Sequence, residues 1–337
     1  MLPSGRRAYS PPLGPYILIL VMGFMLCPVA FLKGAYAQST YPAKPLHLFV
    51  PYPPGGGVDL VARVIGRKLN DSLRQSVIIE NRGGAAGSLA AESVIRAPAD
   101  GYTIGIFTST LIMNSVLLKV NYDIHRDFAP IILFATVPNM LVVHPSLPVR
   151  HLQDLIRLVR LHPGELTHAT SGAGSVPHLM MELLRTQVPR FDIVNVPYKG
   201  NAQALTELLG GQITMHISSM LSATPYISSG RLKPIGVTSA HRSRAAPQVP
   251  TFAESGITGY DASSLWGFLA PASTPALIIS RLNTEIKKIL QMPDVNDSLA
   301  NQGADISGAD PVQYASMMKI EQDKWRKLVE VAHIKAE

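Results

Sequence analysis

The sequence predicts an α/β protein built as two units with a cleft between them, and three observations carry that prediction. An apolar run of strand length, residues 46–50, leads through a glycine-rich turn into a helix with apolar residues at 60, 61, 64, 65 and 69. The same succession of strand, small-residue turn and helix starts again near residue 166. A strand at 266–270 then returns the chain to the first unit, ahead of a helical end at 275–290 and 311–331.

The first turn is the stretch around which the rest is organised. In Val50-Pro-Tyr-Pro-Pro-Gly-Gly-Gly-Val-Asp59 two prolines stiffen the entry and three glycines let the backbone approach a ligand closely. Amide N–H groups at a helix N-terminus favour an anion. Tyr52, Pro53, Pro54, Gly55, Gly56, Gly57 and Asp59 are therefore candidates for holding a carboxylate or a phosphate. A plain chain reversal with Asp59 as N-cap fits the same residues, and both readings stay open here. No Gly-Lys-Ser/Thr follows and there is no G-x-G-x-x-G, so the turn is not a nucleotide P-loop.

A second strand at 76–80 ends in Asn81-Arg82-Gly83-Gly84-Ala85-Ala86-Gly87, which opens a helix at 88–97. A third at 102–107 ends in Thr108-Ser109-Thr110. Turns repeated in this way imply a parallel sheet with its ligand at the carboxyl ends of the strands, which adds Gly84, Ala85, Thr108 and Ser109 to the candidates. A strand at 139–144 leaves this unit, and helix 151–161 stops at His162-Pro163-Gly164. The second unit has a strand at 166–170, the turn Ser171-Gly172-Ala173-Gly174-Ser175, and a helix at 177–187 with proline in its first position. Strands at 193–197, 213–217 and 232–238 follow, with a helix at 202–209; the first of these strands runs into Tyr198 and the second into Ser218-Ser219. We expect domain 1 at 38–142 plus 265–337 and domain 2 at 143–264. Ser171, Gly172, Ala173, Gly174, Ser175, His178, Tyr198 and Ser218 are the second unit's candidates. Two small-residue turns facing each other would grip both ends of a small di-acid. At about 1.5–3 kcal/mol for each charge-assisted bond, four or five bonds support affinity near micromolar after the cost of association.

The N-terminus reads as an export signal. Arg6 and Arg7 precede an apolar run at 16–24, and Ala35-Tyr36-Ala37 forms a cleavage site, cut after Ala37. The apolar run is shorter than a membrane span needs. Ala8-Tyr9-Ser10 matches a twin-arginine signal poorly, and Leu26 and Pro28 flank Cys27 where a lipoprotein site wants small residues. Cleavage removes Arg6, Arg7 and Lys33 and no acid, so the formal charge of +7 falls to +4. It also removes Cys27, the only cysteine, and with it any disulfide, thiolate metal site or cysteine nucleophile. Hydrophobic content of 47% with 16% charged residues marks a globular chain. So mild a charge, with no basic run interleaved with aromatics, gives no case for nucleic acid. The ten histidines show neither H-x-x-x-H nor H-E-x-x-H spacing, so no metal is expected, and most are read as surface or capping residues. A hydrolase using Ser175 and His178 is the alternative, although the pattern is not G-x-S-x-G.

Several motifs in order carry a family resemblance: Val50 to Asp59, Glu80-Asn-Arg82, Asp100-Gly-Tyr-Thr103, Val196-Pro-Tyr-Lys-Gly200, Gly210-Gly-Gln212, and Trp266 with Ala270-Pro271. From Tyr41 almost to Trp325 the sequence resembles the Bug family, periplasmic substrate-binding receptors of tripartite tricarboxylate transporters. The resemblance implies a two-domain periplasmic-binding-protein fold of the Venus flytrap, type II-like kind, with the ligand in the interdomain cleft. It implies a monomer without cofactor, which captures a small carboxylate and delivers it to a membrane permease or serves a sensor system. In the family the loop matching 53–59 holds the ligand carboxylate through backbone groups and water, and the loop matching 171–178 contacts the other end. Tyr52 stands where phenylalanine is usual, and no proline follows Arg82. Ser218 stands where an aspartate is usual, which favours a ligand without an amine.

Overall fold

Leu46, Leu48 and Val50 are completely buried on one face of strand β1 (Leu46–Val50), which seats the first predicted strand inside a sheet. The computed structural model describes residues 41–334 apart from 173 and 302. The signal expected at 1–37 and Ala173 lie outside the described residues. From Lys44 onward the chain is one compact unit.

β1 pairs in parallel with β2 (Val77–Asn81) and β3 (Thr103–Thr108). Helix α1 (Gly57–Leu73) connects β1 to β2, and α2 (Ser88–Ile95) lies between β2 and β3. Beyond β3 the expected parallel sheet becomes mixed. β9 (Ser263–Pro271) runs antiparallel to β3 and to β4 (Phe128–Val143), because it arrives from the opposite half of the molecule. β4 is the spine. Its residues 128–138 pair with β9, and 139–143 pair with β7 (Met215–Ser219) and, over 140–143, with β8 (Lys233–Val237). Only its last third was expected from sequence, since a strand buried on both faces shows no alternation and Pro130 and Pro138 interrupt it.

The second half adds β5 (Thr167–Thr170), parallel to both β6 (Val194–Pro197) and β7. The strand order is β2-β1-β3-β9-β4-β7-β5-β6, with β8 and β10 (Asp305–Ala309) joined to β4. Around it pack α3 (Ser109–Leu117), α4 (Leu152–Leu161), α5 (Val176–Gln187), α6 (Asn201–Leu209), α7 (Met220–Ser228), α8 (Ala276–Leu290), α9 (Pro293–Asn301) and α10 (Pro311–Val331). The sequence did not announce α3 or α7. Each begins directly at a strand end with no proline or glycine between, so strand and helix merge into one apolar run. The result is a two-lobed α/β fold on one curled sheet.

α10 ties the lobes together. A capping box of Asp310 and Gln313 and proline in the first turn start it. Its Tyr314 and Met318 enter the core of the first lobe with Phe107 and Leu133. Trp325, one heptad beyond Met318, is fully buried with Leu141, Leu179 and Met180 of the second. Gly267 makes the first contact possible, because a Cβ there would stand 2.3–2.5 Å from the Tyr314 ring. Gly267→Ala is therefore expected to lower unfolding free energy by about 2–3 kcal/mol through overpacking, measurable by urea denaturation; an unchanged midpoint would refute the contact.

Candidate functional site

The glycine-rich loop is held in shape by a carboxylate that the sequence placed in the ligand site. Asp59 lies in the first turn of α1 but is only 1% exposed. It accepts hydrogen bonds from the Gly55 amide (2.9 Å), Arg63 Nε (2.9 Å) and Asn81 Nδ2 (2.9 Å). Burial alone would push its carboxyl up, but the bonds from Arg63, Gly55 and Asn81 outweigh that and hold it below the usual range. Asn81 also donates to the Tyr52 carbonyl (3.0 Å), stitching β2 to the loop. Asp59 thus braces the loop, and Gly56, not Asp59, occupies the N-cap. Arg63 and Asn81 were missed as site residues, although Arg63 stands at i+4 from Asp59, a spacing legible in sequence.

With Gly55 committed to Asp59, the amides of Gly57 and Val58 carry no hydrogen bond among the described residues, and no side chain caps the helix. Pro53, Pro54, Gly55 and Gly56 are exposed. Tyr52 anchors the loop from behind, its hydroxyl 2.8 Å from Thr108 Oγ1 and 3.2 Å from Thr110 Oγ1. Burial raises the Tyr52 hydroxyl above its ordinary pKa, only partly offset by those two bonds. The second turn lies alongside, with Gly83 against Pro53 and Gly87 against Pro51. Gly84 and Ala85 are exposed there, and Ala85 and Ala86 both hold positive φ (45° and 51°), a conformation unfavourable for alanine. Asn114 Nδ2 secures it by donating to the Ala86 carbonyl (2.8 Å).

Two first-lobe candidates use their side chains within the protein. Thr108 caps α3 through the Thr110 amide, and Ser109 is wholly buried, accepting the Leu265 amide of β9 (2.8 Å). Both brace the end of β3. An open groove of about 710 Å³ beside α2, over His47 and Phe49, is lined by charges already paired: Arg82 with Glu80, and Arg96 with Glu92.

In the second lobe the turn after β5 is wound on its own hydrogen bonds. Ser175 Oγ donates to the Gly172 carbonyl (2.7 Å) and accepts the Ser171 amide (3.2 Å), while His178 Nδ1 accepts the Gly174 amide (3.1 Å). Ser175 is buried, and its hydrogen points at a main-chain carbonyl, not at His178. Ser171, Gly172 and His178 remain half-exposed, as does Tyr198, whose amide donates to the Thr170 carbonyl. Ser218 is fully buried and bonds Asn201 Oδ1 (3.1 Å). Its neighbour Ser219 is the half-exposed residue that opens α7, and no side chain caps that helix.

Besides α10, the lobes approach each other at the two glycine turns. A Cβ on Gly57 would stand 3.3 Å from Leu221 of α7 and 3.6 Å from Trp266. One on Gly174 would stand 3.0 Å from Leu117 of α3. The openings of α1 and α7, and the turn before α5 with the end of α3, therefore close on each other across the cleft.

Two histidines depart from the surface or capping positions expected of most. His168 and His216 are fully buried side by side on β5 and β7, ring centres 6.2 Å apart. His168 Nε2 accepts the Ile217 amide, so its Nδ1–H donates to Asn195. His216 donates Nδ1–H to the Ala169 carbonyl. Desolvation lowers their pKa values to about 3 and about 4. Burial therefore favours the neutral form of both in the folded protein, while the unfolded chain protonates near 6.5. Their contribution is complete above pH 6.5 and is lost as pH falls toward those folded values. Between pH 7 and 5 each should cost about 1–2 kcal/mol of stability, and His216→Gln should remove roughly half the combined loss. Urea unfolding at both pH values checks this; a flat profile would contradict it.

A mixed, curled sheet carrying two lobes, with helix openings converging on the cleft between them, defines the class of periplasmic solute-binding folds. The family model "Tripartite tricarboxylate transporter family receptor" (TctC) matches residues 61–334. Protein BugT of Bordetella pertussis (strain Tohama I) is 35% identical over 315 residues, covering 93% of this chain and 96% of BugT. Two solved structures are similar. R. palustris Rpa4515 with adipate has 36% identity and a TM-score of 0.83, covering 88% of this chain and 99% of that one. MatC (Rpa3494) from Rhodopseudomonas palustris with bound malate has 30% identity and a TM-score of 0.79, covering 86% and 100%. The chain belongs to the tripartite tricarboxylate transporter receptor family, as a Bug-type protein.

Proposed function

We propose that this protein is a periplasmic receptor that closes over a small di- or tricarboxylate and hands it to a membrane permease of the tripartite tricarboxylate type. The observation that carries the reading is the opening of α1, where an acid-braced loop leaves the Gly57 and Val58 amides uncommitted at the positive end of a helix. Adipate and malate, bound by two relatives, are the ligand chemistry this arrangement suits. Asp59, the one acid of the loop, is saturated by three donors, so an ammonium group finds no partner there. That favours organic acids over amino acids. Residues 53–57 hold one carboxylate, and the turn at 171–175 with His178 and Tyr198 meets the other end. The two domains are 38–142 plus 265–337 and 143–264, a division supported by the passage of β4 from β9 to β7 between Pro138 and Asn139. Closure is a population shift, since only the closed state contacts the ligand from both sides. The receptor works as an exported monomer after loss of residues 1–37.

A thermal-shift screen of residues 38–337 against dicarboxylates, tricarboxylates and amino acids tests the reading. A stabilising di- or tricarboxylate recovered unchanged is expected, with about 2.7 kcal/mol at a hundred times the dissociation constant. Amino acids binding more tightly than every organic acid would overturn the ligand class; turnover of the bound acid would overturn the receptor.

A further inference from the structure

We propose that Asn139 supplies a side-chain donor at the floor of the cleft and so helps to set the ligand's specificity. This rests on the carboxylate-receptor reading above and deepens it. Asn139 stands at the crossover of the sheet: Pro138 is the last β4 residue paired with β9, opposite Ser263, and Asn139 is the first paired with β7, opposite Ser219. Cross-strand partners in an antiparallel pair share a face, with Cβ atoms about 5 Å apart. Ser219 is the half-exposed residue that opens α7 at the cleft, so Asn139 lies one side chain inside that lip.

Its main chain is fixed by mutual bonds with Thr238, where Asn139 N donates to Thr238 Oγ1 (3.0 Å) and Thr238 N donates to Asn139 O (2.9 Å). The side chain is not satisfied in the same way. Asn139 is 4% exposed, and its Nδ2 is buried without a hydrogen-bond partner among the described residues. A buried amide nitrogen left unpaired is unfavourable, and each one in a native interior calls for an explanation. A carboxylate oxygen seated between the lobes is the acceptor that completes it. An amide donor is neutral, so it orients the acid without demanding a specific net charge.

The experiment compares the wild type with Asn139→Ala and Asn139→Asp, using adipate, malate and citrate as probes in calorimetry at pH 7 and pH 5, together with ligand-free melting temperatures. Asn139→Ala should melt at or above the wild-type temperature without ligand, because the unpaired donor is gone, yet bind the preferred acid at least tenfold more weakly. Asn139→Asp should weaken binding at least a hundredfold at pH 7 and regain part of it at pH 5, as the new carboxyl takes up a proton. Wild-type affinity in the folded variants overturns the proposal and leaves the receptor reading standing. A lowered ligand-free melting temperature in Asn139→Ala with unchanged affinity overturns it in favour of a structural role. A wild type that binds none of the acids overturns the parent reading and this one with it. If Asn139→Asp does not fold, Asn139→Ala decides alone.

Discussion

Replacing Gly56 by valine should abolish ligand binding and leave the fold untouched. The backbone at Gly56 has φ −75° and ψ 163°, an extended conformation that suits a β-branched residue. A Cβ there meets only the Pro53 carbonyl oxygen, at an ordinary 3.7 Å. Nothing inside the protein resists the substitution. The new methyl groups instead stand over the start of α1, where the anion must approach the Gly57 and Val58 amides within hydrogen-bonding distance. An affinity loss of at least 100-fold, roughly 2.7 kcal/mol, is expected by calorimetry, with circular dichroism and melting temperature unchanged. Affinity within threefold of the parent would remove the loop from the site.

The second large effect belongs to Asp59→Ala. Arg63 is half-exposed and Gly55 exposed, so both can turn to water, and Asn81 Nδ2 keeps the Tyr52 carbonyl, but all three lose their bond to the carboxylate. At about 1.5–3 kcal/mol for each hydrogen bond to a charged group, with water recovering part of the loss, stability should fall by about 2–4 kcal/mol. Binding should disappear as well, because the loop loses the bond that turns Gly55. Asp59→Asn keeps the volume but sets an amide against the donors, so it should be nearly as damaging. Because the Asp59 carboxyl is held below its usual range, its contribution is complete above the unfolded value near 3.9 and is lost as pH falls below it. The histidine pair acts at higher pH, so the two effects separate in a stability profile. An Asp59→Ala protein as stable as the parent would show that the brace contributes nothing.

Much of this was legible in the residues. Proline and glycine punctuate the βα turns at 51–57 and 83–87, and the apolar spacing of α1, α4 and α10 places those helices directly. What was not legible has a common physical cause: interactions made at long range. β4 is buried on both faces and crosses from one lobe to the other, so its pattern has no period. α3 and α7 start at strand ends inside apolar runs. Within the site, the sequence identified the segments but not the direction of the side chains. Asp59, Thr108, Ser109, Ser175 and Ser218 have the chemistry of ligand contacts, yet each bonds the chain's own backbone or a neighbouring side chain. The contacts proposed for the ligand at the opening of α1 are backbone amides, and every residue except proline has one. Asn81 and Asn139 matter through partners gained or lacking 22 residues away and across a sheet, which no local pattern records.

The central claim is that backbone amides at the opening of α1 hold the carboxylate. Amide proton shifts of Gly55, Gly56 and Gly57 in glycine-labelled protein, followed while a binding dicarboxylate is titrated in, test it most directly. Gly57 should move strongly downfield as it gains an anionic acceptor, and Gly55, already bound to Asp59, should move little. Saturating ligand with Gly57 unmoved would contradict the account.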